Sequence, residues 1–435
     1  MDIRPNAAAL TPLLLFLALF FGAGVWFTLQ GEAMGFYTLR APVAILPALA
    51  LGAWIARRRG IDVSSRLLAG MGDPNVMLMC LIFLLAGAFA AIGQAIGAVD
   101  AVVALGLGWL PPPLLLPGLF VLAGFISLAI GSSMGTLAAV VPIAVGVAEA
   151  SGLSMPLVMA STVGGAMFGD NLSVISDTTI AATRTQGAEM RDKFRENFRI
   201  ALPAALATLL LLGWLGAGAH AQPVAPTAAS PWLALPYVIV LVLALIGLDV
   251  LLVLGIGIVL AALFGAVFAH DGYGWVRAAS DIWSGFDGMT EILLLTVLIG
   301  GLAELVRASG GLAWLSAKVA KFARGHAGPR SGEASIAALS AATDIVTANN
   351  TVAILISGRL ARDVAERHGV TPRRAASILD IFSCVAQGLI PWGAQILLAA
   401  SLAKVSPLAI AGQVYYCWLL GIVAIGFMLW PRRAG

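Results

Sequence analysis

Phe168-Gly-Asp-Asn-Leu-Ser-Val-Ile-Ser-Asp-Thr-Thr179 sets two aspartates, two serines and two threonines close together in a chain that is otherwise oily. Of its 435 residues, 60% are hydrophobic and 11% charged, and the mean hydropathy is +0.97. An ordinary soluble domain carries roughly 25% charged residues. The composition therefore predicts an all-α polytopic membrane protein, in which every backbone polar group is satisfied within helices. Ionisable side chains inside a bilayer are costly and mark ion or substrate paths. The 168–179 run is thus the first candidate for function.

Working outward, apolar runs near 10–29, 39–56, 75–97, 200–218, 250–268, 288–308 and 408–430 approach the roughly 20 residues that a bilayer crossing needs. A shorter run at 232–247 is set off from 250–268 by a turn at Gly247-Leu-Asp249. Lys and Arg collect in cytoplasmic loops. With the N-terminus inside, the inside segments take Arg4, Arg57 to Arg59, Arg66, a 184–199 loop, the 318–330 and 359–374 stretches and Arg432-Arg433. Only Arg40, Arg277 and Lys404, of 25 basic residues, then fall outside. A multi-pass protein of the cell (inner) membrane is expected, with both termini cytoplasmic and the first span retained rather than cleaved.

The net charge of +3 reflects this loop bias and gives no reason to expect a nucleic-acid partner. Cys80, Cys384 and Cys417 lie in apolar runs without metal-site spacing and are expected to be inert core residues. His220, His270, His326 and His368 fall in or beside polar loops. No span carries His-Glu-x-x-His, so a membrane-embedded enzyme is not expected. Trp54, Trp232, Trp275, Trp418 and Trp430, near span ends, fit an interfacial aromatic belt.

The polar stretch His220-Ala-Gln-Pro-Val-Ala-Pro-Thr-Ala-Ala-Ser230 divides two halves of similar plan. Val147-Ala-Glu-Ala-Ser-Gly-Leu-Ser-Met-Pro156 pairs with Val364-Ala-Glu-Arg-His-Gly-Val-Thr-Pro372 after a one-residue gap, and Gly131-Ser-Ser-Met-Gly-Thr136 falls against Val346-Thr-Ala-Asn-Asn-Thr351. The charge count puts Glu149 outside and Glu366 inside, so the matching segments enter from opposite faces. That is an inverted-topology repeat, a mark of secondary transporters. The predicted plan has about ten spanning helices, two re-entrant hairpins and two discontinuous helices. An N-terminal helix pair (1–60) is followed by a first repeat (61–219) with a hairpin over 114–150 and a broken helix over 156–183. After a periplasmic linker (220–231) come a second helix pair (232–270) and a second repeat (271–435), with a hairpin over 333–367 and a broken helix over 374–403. Two full spans in place of each hairpin would satisfy the same charge count.

The hairpin tips are small and polar: Ser132, Ser133 and Thr136 in one, Thr347, Asn349, Asn350 and Thr351 in the other. Gly164, Gly165 and Gly169 precede the two aspartates, and Gln387-Gly-Leu-Ile-Pro-Trp-Gly393 breaks the second long helix. Freed carbonyls with carboxylates and hydroxyls make a hard oxygen cage suited to an alkali cation. Asp170 and Asp177 would lie about 10 Å apart on an unbroken helix at ~1.5 Å per residue, so sharing one ion requires unwinding between them. Asn171, Ser173, Ser176 and Thr178 complete the expected cation and proton site. The competing reading makes Asp177-Thr-Thr179 a helix cap. Asp344, Asp380, Gln387, Gly388 and Gln395 are the expected support from the second half.

These residues resemble the NhaC-type sodium/proton antiporters of the ion transporter superfamily. The resemblance rests on 168–179, on Asp344 with Thr347 to Thr351, and on Asp380-Ile-Phe-Ser-Cys384 followed by 387–393, and it covers nearly all of the chain beyond residue 60. Many members carry Lys after the aspartate that corresponds to Asp170 and Pro at the position of Val174; here Asn171 and Val174 stand instead. The resemblance implies Na⁺/H⁺ antiport by alternating access with no cofactor, Na⁺ (or Li⁺) and H⁺ as cargo, and a homodimer. Some relatives resemble amino-acid permeases, and the tips are similar to those of divalent anion/sodium symporters. The alternative is therefore a Na⁺- or H⁺-coupled carrier of amino acids or small carboxylates.

Overall fold

The computed structural model describes residues 4–30, 38–107, 111–174, 176–218, 230–246, 248–269, 272–324 and 328–429. The expected linker (apart from its end), Gly247, His220, His270, His326, Trp430 and Arg432-Arg433 lie outside them. Among the described residues there is no strand. Helices of nine residues or more begin with α1 (Thr11–Leu29), α2 (Leu46–Arg58), α3 (Val63–Met71), α4 (Pro74–Ala95) and α5 (Ala98–Leu107). A hairpin follows, α6 (Leu115–Ile130) and α7 (Ser133–Ser151), then α8 (Met155–Leu172), α9 (Asp177–Gln186) and α10 (Met190–Gly218). The second half runs α11 (Leu235–Leu245), α12 (Val250–Phe268), α13 (Trp275–Gly288), α14 (Thr290–Ala308) and α15 (Gly311–Arg324). Its hairpin is α16 (Pro329–Thr347) and α17 (Asn350–His368), followed by α18 (Pro372–Leu389), α19 (Ala394–Ala403) and α20 (Tyr415–Leu429).

The halves repeat residue by residue where it matters. Cys384 Sγ lies 3.7 Å from the Met167 carbonyl, 217 positions away, and the same spacing makes α7 and α17, α8 and α18, and α9 and α19 begin and end at matching positions. Equivalent residues that touch each other lie on a pseudo-two-fold axis, so the two broken helices meet on it. Each hairpin turns on a residue in the left-handed region, Gly131 (φ 72°) and Ala348 (φ 51°), and each second arm is capped by the next side chain. Ser132 Oγ accepts from the Gly135 amide and Asn349 Oδ1 from the Val352 amide. These caps correct the tip alignment by two residues: Gly131 matches Ala348, not Val346. The shared polar character of the tips hid the register, which the backbone turn fixes.

The reciprocal crossings of α3 with α14 and α4 with α13 are built on glycine. A Cβ on Gly87 or on Gly285 would sit 2.5 Å from the other's carbonyl oxygen, and one on Gly300 would sit 2.8 Å from that of Gly70. Backbones touch directly there, as small residues permit between membrane helices. Among the described residues, eight helical stretches can cross a bilayer by length and composition, or nine with α13 and α14 as one span bent by 43°. Shorter apolar helices at Pro231–Ala244 and Tyr415–Leu429 stand beside them. Trp54, Trp232, Trp275 and Trp418 are exposed.

One expectation fails outright: residues 184–199 are not a loop. α10 is helical from Met190, so its charged turns continue an apolar span. The reason is a buried stripe of Lys193, Asn197, Ile200, Ala201, Ala204 and Thr208, which helical spacing puts on one face.

Candidate functional site

α8 ends where the chain turns extended at Ser173, and α9 restarts after Ser176. Two hydroxyls pin this break. Ser173 Oγ donates to the Leu128 carbonyl at 2.9 Å, and Thr179 Oγ1 donates to the Ser173 carbonyl at 2.7 Å. Asp170, in the last turn of α8, is 6% exposed. Its Oδ1 accepts from Ser176 Oγ at 2.5 Å and its Oδ2 from Ser133 Oγ at 2.8 Å, while Ser176 and Thr178 hydroxyls lie 2.9 Å apart.

The second half reaches the same point through amides. Gln395 Nε2 donates to Ser133 Oγ at 3.0 Å, and Gln387 Nε2 donates to Gln395 Oε1 at 2.8 Å and to the Ala348 carbonyl at 3.1 Å. Hydrogen bonds therefore run from Asp170 through the first tip to the second break and the second tip. Both tips meet in one cavity of about 70 Å³, which Asp170, Ser133, Ser176 and Thr178 line from the first half and Asn350, Thr351 and Gln395 from the second. Tips from halves related by the pseudo-two-fold can share a cavity only near its axis, so the two tips meet there.

A larger cavity of about 320 Å³, lined by Asp73, Glu304, Arg307 and Thr347, shares Asn75 and Asn349 with the first. It lies on the side of Arg66, whose Nη1 is 3.3 Å from Glu304 Oε1. A third, of about 230 Å³, lies beside the α18–α19 break at Pro391 and Trp392, with Glu291 and Lys404 in its wall.

The expected residues divide clearly. Asp170, Ser132, Ser133, Ser176, Thr178, Asn349, Asn350, Thr351 and Gln395 converge on the small cavity, with Gln387 behind Gln395. Asp177 reaches it too, but as an exposed residue in the first turn of α9, where an acid suits the helix N-terminus. The two carboxylates therefore differ in burial. Thr136 donates within its own helix to the Ser132 carbonyl, and Thr347 to that of Thr343. Gly388 packs so closely on Cys417 Sγ that no side chain fits; it serves helix packing. Asp344 is fully buried, and neither carboxyl oxygen has a hydrogen-bond partner among the described residues.

Asn171 and Asp380 belong to a different cluster. Lys193 Nζ is 2.7 Å from Asp380 Oδ2, 2.9 Å from the Asn171 carbonyl and 2.7 Å from Thr179 Oγ1. Asn171 and Asn197 amides also donate to Asp380 Oδ2, at 3.0 and 2.8 Å. The lysine absent after Asp170 is thus matched by a buried ammonium from α10. Lys193 and Asn197 escaped notice because charges crowd around them, although their i, i+4 spacing in line with the buried face of the span is a legible signal. Gly131-Ser132-Ser133-Met134-Gly135 has the Gly-x-Ser-x-Gly spelling of a hydrolase nucleophile, but Ser133 donates to a carboxylate and no histidine lines the cavity among the described residues.

A model described as the Na⁺/H⁺ antiporter family matches residues 62–217 and 219–431. The chain belongs to the Na⁺/H⁺ antiporter family. This member is similar to the malate-2H⁺/Na⁺-lactate antiporter of Bacillus subtilis (strain 168), with 23% identity over 82% of this chain and 81% of the relative. It is also similar to the Na⁺/H⁺ antiporter NhaC of the same organism, with 24% identity over 74% and 76%. The arginine/ornithine antiporter ArcD of Halobacterium salinarum is 26% identical over 90% and 87%. Among solved structures, the Alcanivorax borkumensis YdaH transporter superimposes with a TM-score of 0.42 at 13% identity, over 97% of this chain and 98% of that one. The protein is a secondary active transporter of the antiporter class, and not an enzyme.

Proposed function

We propose that this antiporter exchanges Na⁺ (or Li⁺) for H⁺ at Asp170. The observation that carries the proposal is a buried carboxylate held by two hydroxyls in a cavity of about 70 Å³. Pockets for organic ligands are typically 300–1,000 Å³, so the cavity suits a dehydrated ion. A serine hydroxyl can donate or accept. Facing a bare carboxylate, Ser133 and Ser176 donate; facing a cation, they turn lone pairs to it and become ligands with Asp170, Thr178 and the amide oxygen of Asn350. A protonated Asp170 in turn satisfies itself against one of those hydroxyls. A carboxylate at this depth needs a cation or a proton, so the two compete for one group. Alternating access converts that competition into exchange.

The chain divides, in this proposal, into the two repeats 61–219 and 271–435, and two copies pair in the cell (inner) membrane with both termini cytoplasmic. The cavity shared through Asn75 and Asn349 lies on the side of Arg66, which the distribution of basic residues makes cytoplasmic. The conformation described is then open inward.

The test uses purified protein in liposomes with an imposed pH gradient. Addition of Na⁺ or Li⁺ with no organic solute should collapse the gradient, and the Na⁺ needed for half-maximal collapse should rise as pH falls. Collapse that requires an amino acid or a carboxylate would replace this proposal with coupled solute transport.

A further inference from the structure

The Lys193 ammonium is 1% exposed, and its three N–H groups meet a carboxylate, the Asn171 carbonyl freed at the end of α8 and a threonine hydroxyl, all at 2.7–2.9 Å. A carboxylate, a helix-end carbonyl and a hydroxyl are the ligand types that a hard cation takes. Asn197, 0% exposed, turns its amide nitrogen to two of these ligands, donating to Asp380 Oδ2 at 2.8 Å and to the Asn171 carbonyl at 3.0 Å, and so fixes them in place. We infer that these groups form a second cation cage in the antiporter, filled by the protein's own tethered ammonium.

Its place supports this assignment. Asn171 follows Asp170 directly: Asp170 faces the cavity on one side of the α8 end while the Asn171 carbonyl faces Lys193 on the other. The single helix break thus serves two cation positions, one open to exchange and one occupied in cis. Lys193 stands on α10, Asn171 on α8, Asp380 on α18 and Thr179 on α9, so the ammonium also ties four helices together. A free ion entering the cage would have to displace a side chain that cannot leave by diffusion. Lys193 therefore limits the chain to one exchangeable cation, and Asp380, although a buried carboxylate in the same region, takes no part in exchange.

The inference rests on Asp170 being the open site, and the test separates the two. Na⁺ binding per chain is measured on purified protein by equilibrium dialysis with radiolabelled Na⁺, together with Na⁺-dependent thermal stability. Wild type is expected to bind one Na⁺, and Lys193→Ala, which vacates the cage, to bind a second and to show a larger Na⁺-induced rise in melting temperature. The double variant Lys193→Ala/Asp380→Asn, with the cage carboxylate removed, should return to one. A folded Lys193→Ala that binds only one Na⁺ would overturn the inference. So would a Lys193→Ala that folds at no Na⁺ concentration while the double variant folds, because a cage that accepts Na⁺ would rescue it. Absence of Na⁺ binding by wild type would instead count against Asp170 as the open site.

Discussion

The two helix breaks share a backbone and differ in almost every side chain at the centre. Asp170 corresponds to Gln387, Asn171 to Gly388, Ser176 to Gly393 and Asp177 to Ala394, while Thr178 corresponds to Gln395 and Ser133 to Asn350. The first break supplies a carboxylate and hydroxyls, and the second supplies amides and bare backbone. Both halves have the same unwound geometry, and only one is furnished for charge. The second acts through the first, with Gln387 orienting Gln395 and Gln395 holding Ser133 against Asp170.

The sharpest attempt to break this comparison moves the carboxylate. Asp170→Asn should abolish Na⁺-driven collapse of the pH gradient while leaving the yield of folded protein unchanged. Adding Gln387→Asp to that variant should restore nothing, because the second break lacks the hydroxyls; recovered exchange in liposomes would show the halves to be interchangeable. A smaller loss is expected from Ser176→Ala and Ser133→Ala. A hydrogen bond to a charged group contributes about 1.5–3 kcal/mol, so apparent Na⁺ affinity should fall roughly ten- to a hundredfold. Gln395→Ala, one bond removed from Asp170, should cost less, about threefold to tenfold, by the net ~1 kcal/mol of a neutral hydrogen bond. An effect as large as that of Ser133→Ala would mean that the amide itself reaches the ion.

Asp177→Asn should change Na⁺ affinity by no more than about fivefold, since the loss of a charge at an exposed helix N-terminus costs ~0.3–1 kcal/mol. A null phenotype in the gradient assay would return Asp177 to the equal role that its sequence position suggests. The smallest effect concerns the tips. Ala348 holds φ 51° where the first half has Gly131, and a non-glycine residue in that region costs about 1–2 kcal/mol. Ala348→Gly should accordingly raise the melting temperature slightly, and Gly131→Ala should lower it.

Much of this is legible in the amino-acid sequence. Oily composition with a polar run at 168–179 gave the membrane class and led to Asp170, and small polar clusters marked both tips. Sequence spacing treats Asp170 and Asp177 alike and does not show that, of two carboxylates lining one cavity, the helix restart buries the first and leaves the second exposed. The tip register was off by two because composition does not report a left-handed turn at an alanine. Lys193 was missed for a different reason. A charge beside five others reads as a solvated loop unless the helical period of the apolar span is carried back through that stretch, which α10 does and which turns Lys193 inward.

The glycine crossings described above leave no cushion of side chains between α3 and α14 or between α4 and α13. Backbones in direct contact cannot slide without collision, so these four helices behave as one stiff frame. All three cavities lie along the seam between helices of that frame and the hairpins or broken helices opposite. The cavities leave room for slip along this seam. When access changes sides, the hairpins and broken helices should travel past a stationary wall and carry the Asp170 cavity with them.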